Sequence, residues 1–126
     1  MKAPPQGEPG GHLDAFDPVS GKRQWSYRSK YPLLASTLAT GGNLIFSGDP
    51  EGRFFALDAL TGEKLWDFAT GSGHRGSPMT YSVNGRQYVA VPTGWGSAAA
   101  GALPQIWPET EDFPSGATLF VFALRE

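Results

Sequence analysis

Asp17 and Asp58 occupy matching places in two similar stretches, and a positioned aspartate is a residue type that can work as a general base. Each is followed four residues later by a glycine, Gly21 or Gly62, and that spacing favours a different role, in which the carboxylate accepts hydrogen bonds from backbone amides of a tight turn. His12 and His74 are the only histidines, and neither has another histidine or a carboxylate at a metal-ligand spacing, so both read as loop or surface residues. Glu109, Glu111 and Asp112 cluster beside Trp107 and Phe113; such a group can attract a cation, but it reads more simply as a solvated loop face. Gly71 to Gly76 fits the string G-x-G-x-x-G after a strand, yet Ser77-Pro78 leads into another strand, so no helix amino terminus waits to receive a pyrophosphate. No nucleophile turn supports a serine triad, and the absence of cysteine removes thiol catalysis, disulfides and cysteine-ligated zinc. The chain carries no self-sufficient catalytic apparatus.

The elements that hold these residues are set by repetition. Gly-x-x-x-Ala-x-Asp-x-x-x-Gly-x-x-x-Trp runs from Gly11 to Trp25 and again from Gly52 to Trp66, 41 residues later. A period near 40 residues indicates stacked blades or a solenoid. Seventeen glycines and eleven prolines, with eight Phe, four Trp and four Tyr, describe many turns between aromatic strands and choose blades over helices. At 126 residues the chain is the size of one domain, able to bury a core without metal or disulfide staples. A charged fraction of 17% and a net charge of −2 give neither a nucleic-acid footprint nor a membrane-surface patch. No apolar run is long enough to span a bilayer as a helix, and the first residues lack the apolar core of a signal peptide.

Residues 1–10 are rich in proline and glycine and read as a flexible leader; 11–126 read as an all-β, partial β-propeller. His12–Phe16 and Arg23–Tyr27 form half a blade. Leu34–Thr40, Asn43–Ser47, Arg53–Asp58 and Lys64–Ala69 form a complete antiparallel four-strand set, with a turn at Gly41-Gly42. Ser77–Val83 and Arg86–Pro92 flank Asn84-Gly85, the preferred pair for a type I′ turn because both positions need positive φ. After an irregular loop over Thr93–Ser115, Thr118–Leu124 resumes a strand, and Phe122-Ala123-Leu124 echoes Phe55-Ala56-Leu57. A loop of that length inside an all-β repeat more often serves function than connection. The total is two to two and a half four-stranded blades, fewer than a closed propeller needs, with strand edges open for pairing. Within each repeat, Trp25 and Trp66 are expected to wedge between neighbouring sheets, with Ala15 and Ala56 leaving room for the rings.

The run Ala-x-Asp-x-x-x-Gly-x-x-x-Trp resembles the tryptophan-docking motif of quinoprotein alcohol dehydrogenases, the methanol and ethanol dehydrogenase type that uses pyrroloquinoline quinone. Leu38 to Gly48, Pro78-Met79-Thr80-Tyr81 and Gln87-Tyr88-Val89-Ala90-Val91 are similar to the carboxy-terminal blades of that family, in the same order, so the resemblance covers residues 11–124. It implies an eight-bladed propeller, periplasmic, holding the quinone against Ca²⁺ or a lanthanide and oxidising a small alcohol. The family's catalytic Asp, its metal-binding Glu and Asn, its adjacent-cysteine disulfide and its activating Arg belong to earlier blades, and no residue here matches them. By position, the resemblance puts Leu34-Ala35-Ser36 and Gly94 to Ala98 on the quinone pocket wall. Leu34 and Ala98 stand where the methanol dehydrogenases have tryptophans, the amides of Gly96 and Ser97 are placed to donate to a quinone carboxylate, and Trp95 offers an aromatic surface.

Two functions follow. The first is a carboxy-terminal piece of such an enzyme, inactive alone, whose partners are the upstream blades. The second is a scaffold or binding module that keeps the blade packing without the cofactor. In either case, strands as apolar as Leu119-Phe120-Val121-Phe122 predict association with the missing blades or with further copies of the chain, as a homo-oligomer.

Overall fold

The computed structural model describes residues 10–96 and 98–125. Among these residues nine strands, all antiparallel to their neighbours, form three sheets. β1 (Gly11–Phe16) and β2 (Arg23–Ser29) make a two-stranded sheet; β3 (Leu38–Ala39), β4 (Leu44–Gly48), β5 (Arg53–Asp58) and β6 (Lys64–Ala69) make a four-stranded one. β7 (Met79–Val83), β8 (Arg86–Pro92) and β9 (Leu119–Ala123) make the third, so half a blade, one blade and three quarters of a blade follow one another. The predicted leader lies outside the described residues except for Gly10.

Local chemistry explains the turns. Oδ1 of Asp17 accepts from the amides of Val19 and Ser20, and Oδ1 of Asp58 from those of Leu60 and Thr61. Gly21 and Gly62 take φ of 71° and 75°, a left-handed conformation that costs a glycine nothing. Asn84 and Gly85 take φ of 51° and 77°, as a type I′ hairpin demands. The β3–β4 turn falls at Gly41-Gly42 as expected, but β4 begins at Leu44, one residue later than expected, because Asn43 is left-handed (φ 61°) and turns its carbonyl to the Ala59 amide.

Two further departures have physical causes. The strand expected over Leu34–Thr40 shortens to Leu38–Ala39 because Ser36 bonds sideways through its carbonyl to the Ser47 hydroxyl and through its own hydroxyl to Ser77. The loop after β8 is not irregular: it holds α1 (Ala98–Ala102) and two 3₁₀ turns, Leu103–Gln105 and Pro108–Asp112, with Pro104 second in one and Pro108 first in the other, within the first turn where a missing amide costs little.

The core lies between the second and third sheets. Phe46, Phe54, Ala56, Val89 and Val91 are buried there, with Phe120 and Phe122 of β9 packed against them. Phe54 stacks on Phe46 and on Phe122, both at 5.7 Å between centroids. Ala15 and Ala56 lie directly across their hairpins from Trp25 and Trp66. Trp25 reaches forward to the next sheet: its Nε1–H donates to the Ala59 carbonyl at 2.9 Å, and its ring lies so close to Gly62 that a Cβ there would stand 2.6 Å away. Trp66 touches Phe54 and Phe122 edge-on and keeps 39% of its surface exposed.

A smaller core fastens the long loop. Tyr31, Leu103 and Trp107 are buried together, Tyr31 meets Trp107 and Phe113 edge-on, and its hydroxyl donates to Glu109 at 2.9 Å. No helix among the described residues is long and apolar enough to cross a membrane.

Candidate functional site

Four chain segments that are far apart in sequence surround a cleft of about 720 Å³. Leu34 comes from the β2–β3 connection, Arg75 and Gly76 from the β6–β7 turn, Gly94, Trp95 and Gly96 from the end of β8, and Ser115 to Ala117 from the approach to β9. Hydrogen bonds hold these segments in register. The Gly94 amide donates to the Gly73 carbonyl at 3.0 Å, and the Ser72 hydroxyl both donates to the Gly116 carbonyl and accepts from the Gly116 amide. Thr93 and Thr118 close the neck behind them through backbone and side-chain bonds.

Glycine is required where these strands of backbone cross. A Cβ on Gly73 would stand 2.7 Å from the Trp95 ring, and one on Gly76 would stand 2.7 Å from Pro92. The G-x-G-x-x-G string thus serves as a thin wall behind an indole. No helix follows it, and β7 begins at Met79.

Among the residues expected on a pocket wall, Leu34, Trp95 and Gly96 line the cleft. Ala98 begins α1, is exposed and does not line it, because the chain turns away into the helix. Ser97 lies outside the described residues. Arg75, Gly76 and the segment 115–117 were not anticipated. Arg75 lies within the glycine string that lacks a following helix to receive a pyrophosphate, whereas Ser115 to Ala117 come into place only through the fold of the long loop.

His74 corrects a second expectation, because it lies in a loop yet is 1% exposed. Gly48 makes this possible: a Cβ there would overlap the imidazole. The Thr70 hydroxyl has one proton and two carbonyls to give it to, Gly52 and Ser72, so Nε2–H of His74 donates to Thr70 Oγ1 at 2.8 Å. Nδ1 is then unprotonated, buried and without a partner among the described residues. Burial lowers the imidazole pKa to about 4, so His74 is neutral at physiological pH and serves structure. His12 is at the surface, as expected, but the absence of a carboxylate at a metal-ligand spacing does not hold, since the strand alternation puts Asp14 on its face, with Nδ1 and Oδ2 2.9 Å apart.

The remaining candidates are structural. Glu109 meets the Tyr31 hydroxyl and Lys30, and Glu111 and Asp112 stay solvated on the same 3₁₀ turn. Among the described residues no three His, Cys, Asp or Glu side chains converge to hold a metal ion.

Residues 29–89 match the family described as PQQ: glucose/ethanol/alcohol dehydrogenase, beta-propeller domain. Quinoprotein alcohol dehydrogenase PedH of Pseudomonas putida is 46% identical over 114 residues, which are 90% of this chain and 19% of that protein. The crystal structure of quinohemoprotein alcohol dehydrogenase from Comamonas testosteroni superposes with a TM-score of 0.79 at 37% identity, over 95% of this chain and 17% of that one. A europium-containing methanol dehydrogenase superposes with a TM-score of 0.78 at 30% identity, over 90% of this chain and 23% of that one. The three sheets are therefore blades of a quinoprotein-dehydrogenase propeller. The chain belongs to the quinoprotein alcohol dehydrogenase family as a stretch of its carboxy-terminal part, spanning less than a quarter of the length of each of these relatives.

Proposed function

We propose that this chain supplies the last blades and one wall of the quinone pocket of a periplasmic alcohol dehydrogenase that uses pyrroloquinoline quinone with Ca²⁺ or a lanthanide. The observation that carries the reading is the cleft itself. A flat, anionic heterocycle needs a roomy site, backbone that can be approached closely and an aromatic face, and about 720 Å³ with Gly76, Gly94, Gly96 and Gly116 around Trp95 meets those needs. Leu34, Trp95 and Gly96 are assigned to the pocket wall, and Ala98 is not. When bound, the quinone supplies the two-electron oxidant for the alcohol. The chain's own part is to present glycine backbone and an indole, and to keep that indole in place by stacking it on Gly73. The metal ligands and catalytic base are assigned to the blades this chain does not contain.

Those blades are its expected partner. β9 has β8 as its single partner among the described residues, and it exposes Leu119 and Val121. Such an edge pairs with the remaining propeller, or with another copy when that propeller is absent.

Titrating the chain with pyrroloquinoline quinone and Ca²⁺ or La³⁺, alone and together with the upstream blades of a relative, tests the reading through the quinone absorbance. A spectral change that needs both polypeptides supports it. No change with the upstream blades folded and present would leave a scaffold without cofactor. Light scattering checks the edge, since a monomer at high concentration contradicts pairing.

A further inference from the structure

Arg75 is the one charged residue among those lining the cleft, and no carboxylate among the described residues forms an ion pair with it. We propose that Arg75 makes this cleft a carboxylate-binding site, so that the small molecule it takes is an organic anion docked through a carboxylate on the Arg75 guanidinium. The inference rests on, and deepens, the assignment of the cleft as a ligand pocket.

Three features of the surroundings favour that role. The turn that carries Arg75 is fixed on both sides: the His74 amide donates to the Asp49 carbonyl at 3.0 Å with its ring buried beneath, and Ser77 bonds to Ser36 at 3.0 Å. A guanidinium whose backbone is already held loses less freedom on binding. The neighbouring imidazole is neutral at physiological pH, so it neither competes for the anion nor repels the arginine. Apart from Ser115, the rest of the lining is apolar or glycine, with Leu34, Trp95 and Gly116 offering a surface for the body of a ligand whose charged end faces Arg75. The planar fork of a guanidinium matches a carboxylate with two parallel hydrogen bonds, which a lysine cannot reproduce.

The carboxylate has two possible sources, the quinone or an alcohol substrate that itself bears a carboxylate. The binding step is tested first on the chain as it stands, with benzene-1,3,5-tricarboxylate as probe and the backbone amide resonances of Gly76, Gly94, Gly96 and Gly116 as readout. These four should shift together, the shift should weaken with added salt, and the trimethyl ester should produce none. Arg75→Gln should weaken the probe at least about tenfold, as expected on losing charge-assisted hydrogen bonds, while Arg75→Lys should retain part of the affinity. Equal affinity in Arg75→Gln, or no shift of these amides at millimolar probe, overturns the proposal.

The source is then decided in a protein that joins this chain to the upstream blades of a relative. Weaker quinone uptake by Arg75→Gln, followed by absorbance, assigns the arginine to the quinone. A raised KM for 4-(hydroxymethyl)benzoate with benzyl alcohol and quinone uptake unchanged assigns it to the substrate. If the joined protein takes up quinone and turns over and Arg75→Gln alters neither, the proposal falls while the pocket reading stands. If the joined protein takes up no quinone but the chain still binds the probe through Arg75, the proposal stands and the quinone pocket falls.

Discussion

Trp25 and Trp66 occupy the same place in the same motif, yet the first is clamped and the second is half open. Trp25 has its indole N–H on the Ala59 carbonyl and its ring against Gly62, whereas Trp66 has aromatic edges from Phe54 and Phe122 and 39% exposure. The difference does not lie in either tryptophan or in its own hairpin. It lies in the turn of the blade that follows, which β5 and β6 complete for Trp25. A docking motif is therefore half a contact, and each copy is finished by the next.

The glycines break this comparison most sharply. Gly21 and Gly62 share a left-handed backbone, but nothing stands within 4 Å of a Cβ on Gly21, while a Cβ on Gly62 meets Trp25. Gly21→Ala should cost about 1 kcal/mol, the backbone penalty alone. Gly62→Ala should add overpacking of roughly 1–3 kcal/mol, read as a lower urea midpoint at unchanged m-value. Equal costs would mean that the clamp is not built as described.

The two histidines divide the same way, one exposed on the first hairpin and one buried at the interface of the full blade with the next. His74 has a folded pKa of about 4 against 6.5 for the free side chain, so the unfolded state binds the extra proton between those values. Stability should be full above about pH 6.5, fall as pH drops below it and level off below about pH 4, by on the order of 3 kcal/mol. His74→Gln should flatten that segment of a stability–pH curve. A curve equally steep in the variant would assign the slope to other groups.

The smallest contrast is in the rings themselves. Trp25→Phe removes the donor to Ala59 and should cost about 1–2 kcal/mol, while Trp66→Phe should stay below about 1 kcal/mol because that ring is more exposed. Reversal of the order in thermal unfolding would contradict the assignment of the clamp to Trp25.

These contrasts also explain what the sequence made legible. Asp17, Asp58, Gly21 and Asn84-Gly85 act within a few residues of themselves, so their spacing was enough to place the turns, and the 41-residue repeat was enough to place the blades. Leu34, Trp95 and Gly96 were found by likeness of position to a known family. Arg75 was not, because its meaning depends on segments near residues 34, 95 and 116 that only the folded chain brings to it. His74 was misread for a similar reason: its burial depends on Gly48, a residue in a different strand whose lack of a side chain makes the space. The short β3 escaped notice because its competitors are serine hydroxyls, which leave no periodic trace.

The neck of the long loop has a consequence for how such a wheel can vary. Thr93 is fastened to Thr118, and Gly116 to Ser72, before the excursion through α1 begins, so its two ends meet whatever lies between them. Lengthening a loop whose ends are already joined adds little entropy cost, which grows only with the logarithm of its length. The parts of this excursion that lie outside the Tyr31, Leu103 and Trp107 cluster can thus change length while the rim that greets a ligand keeps its form.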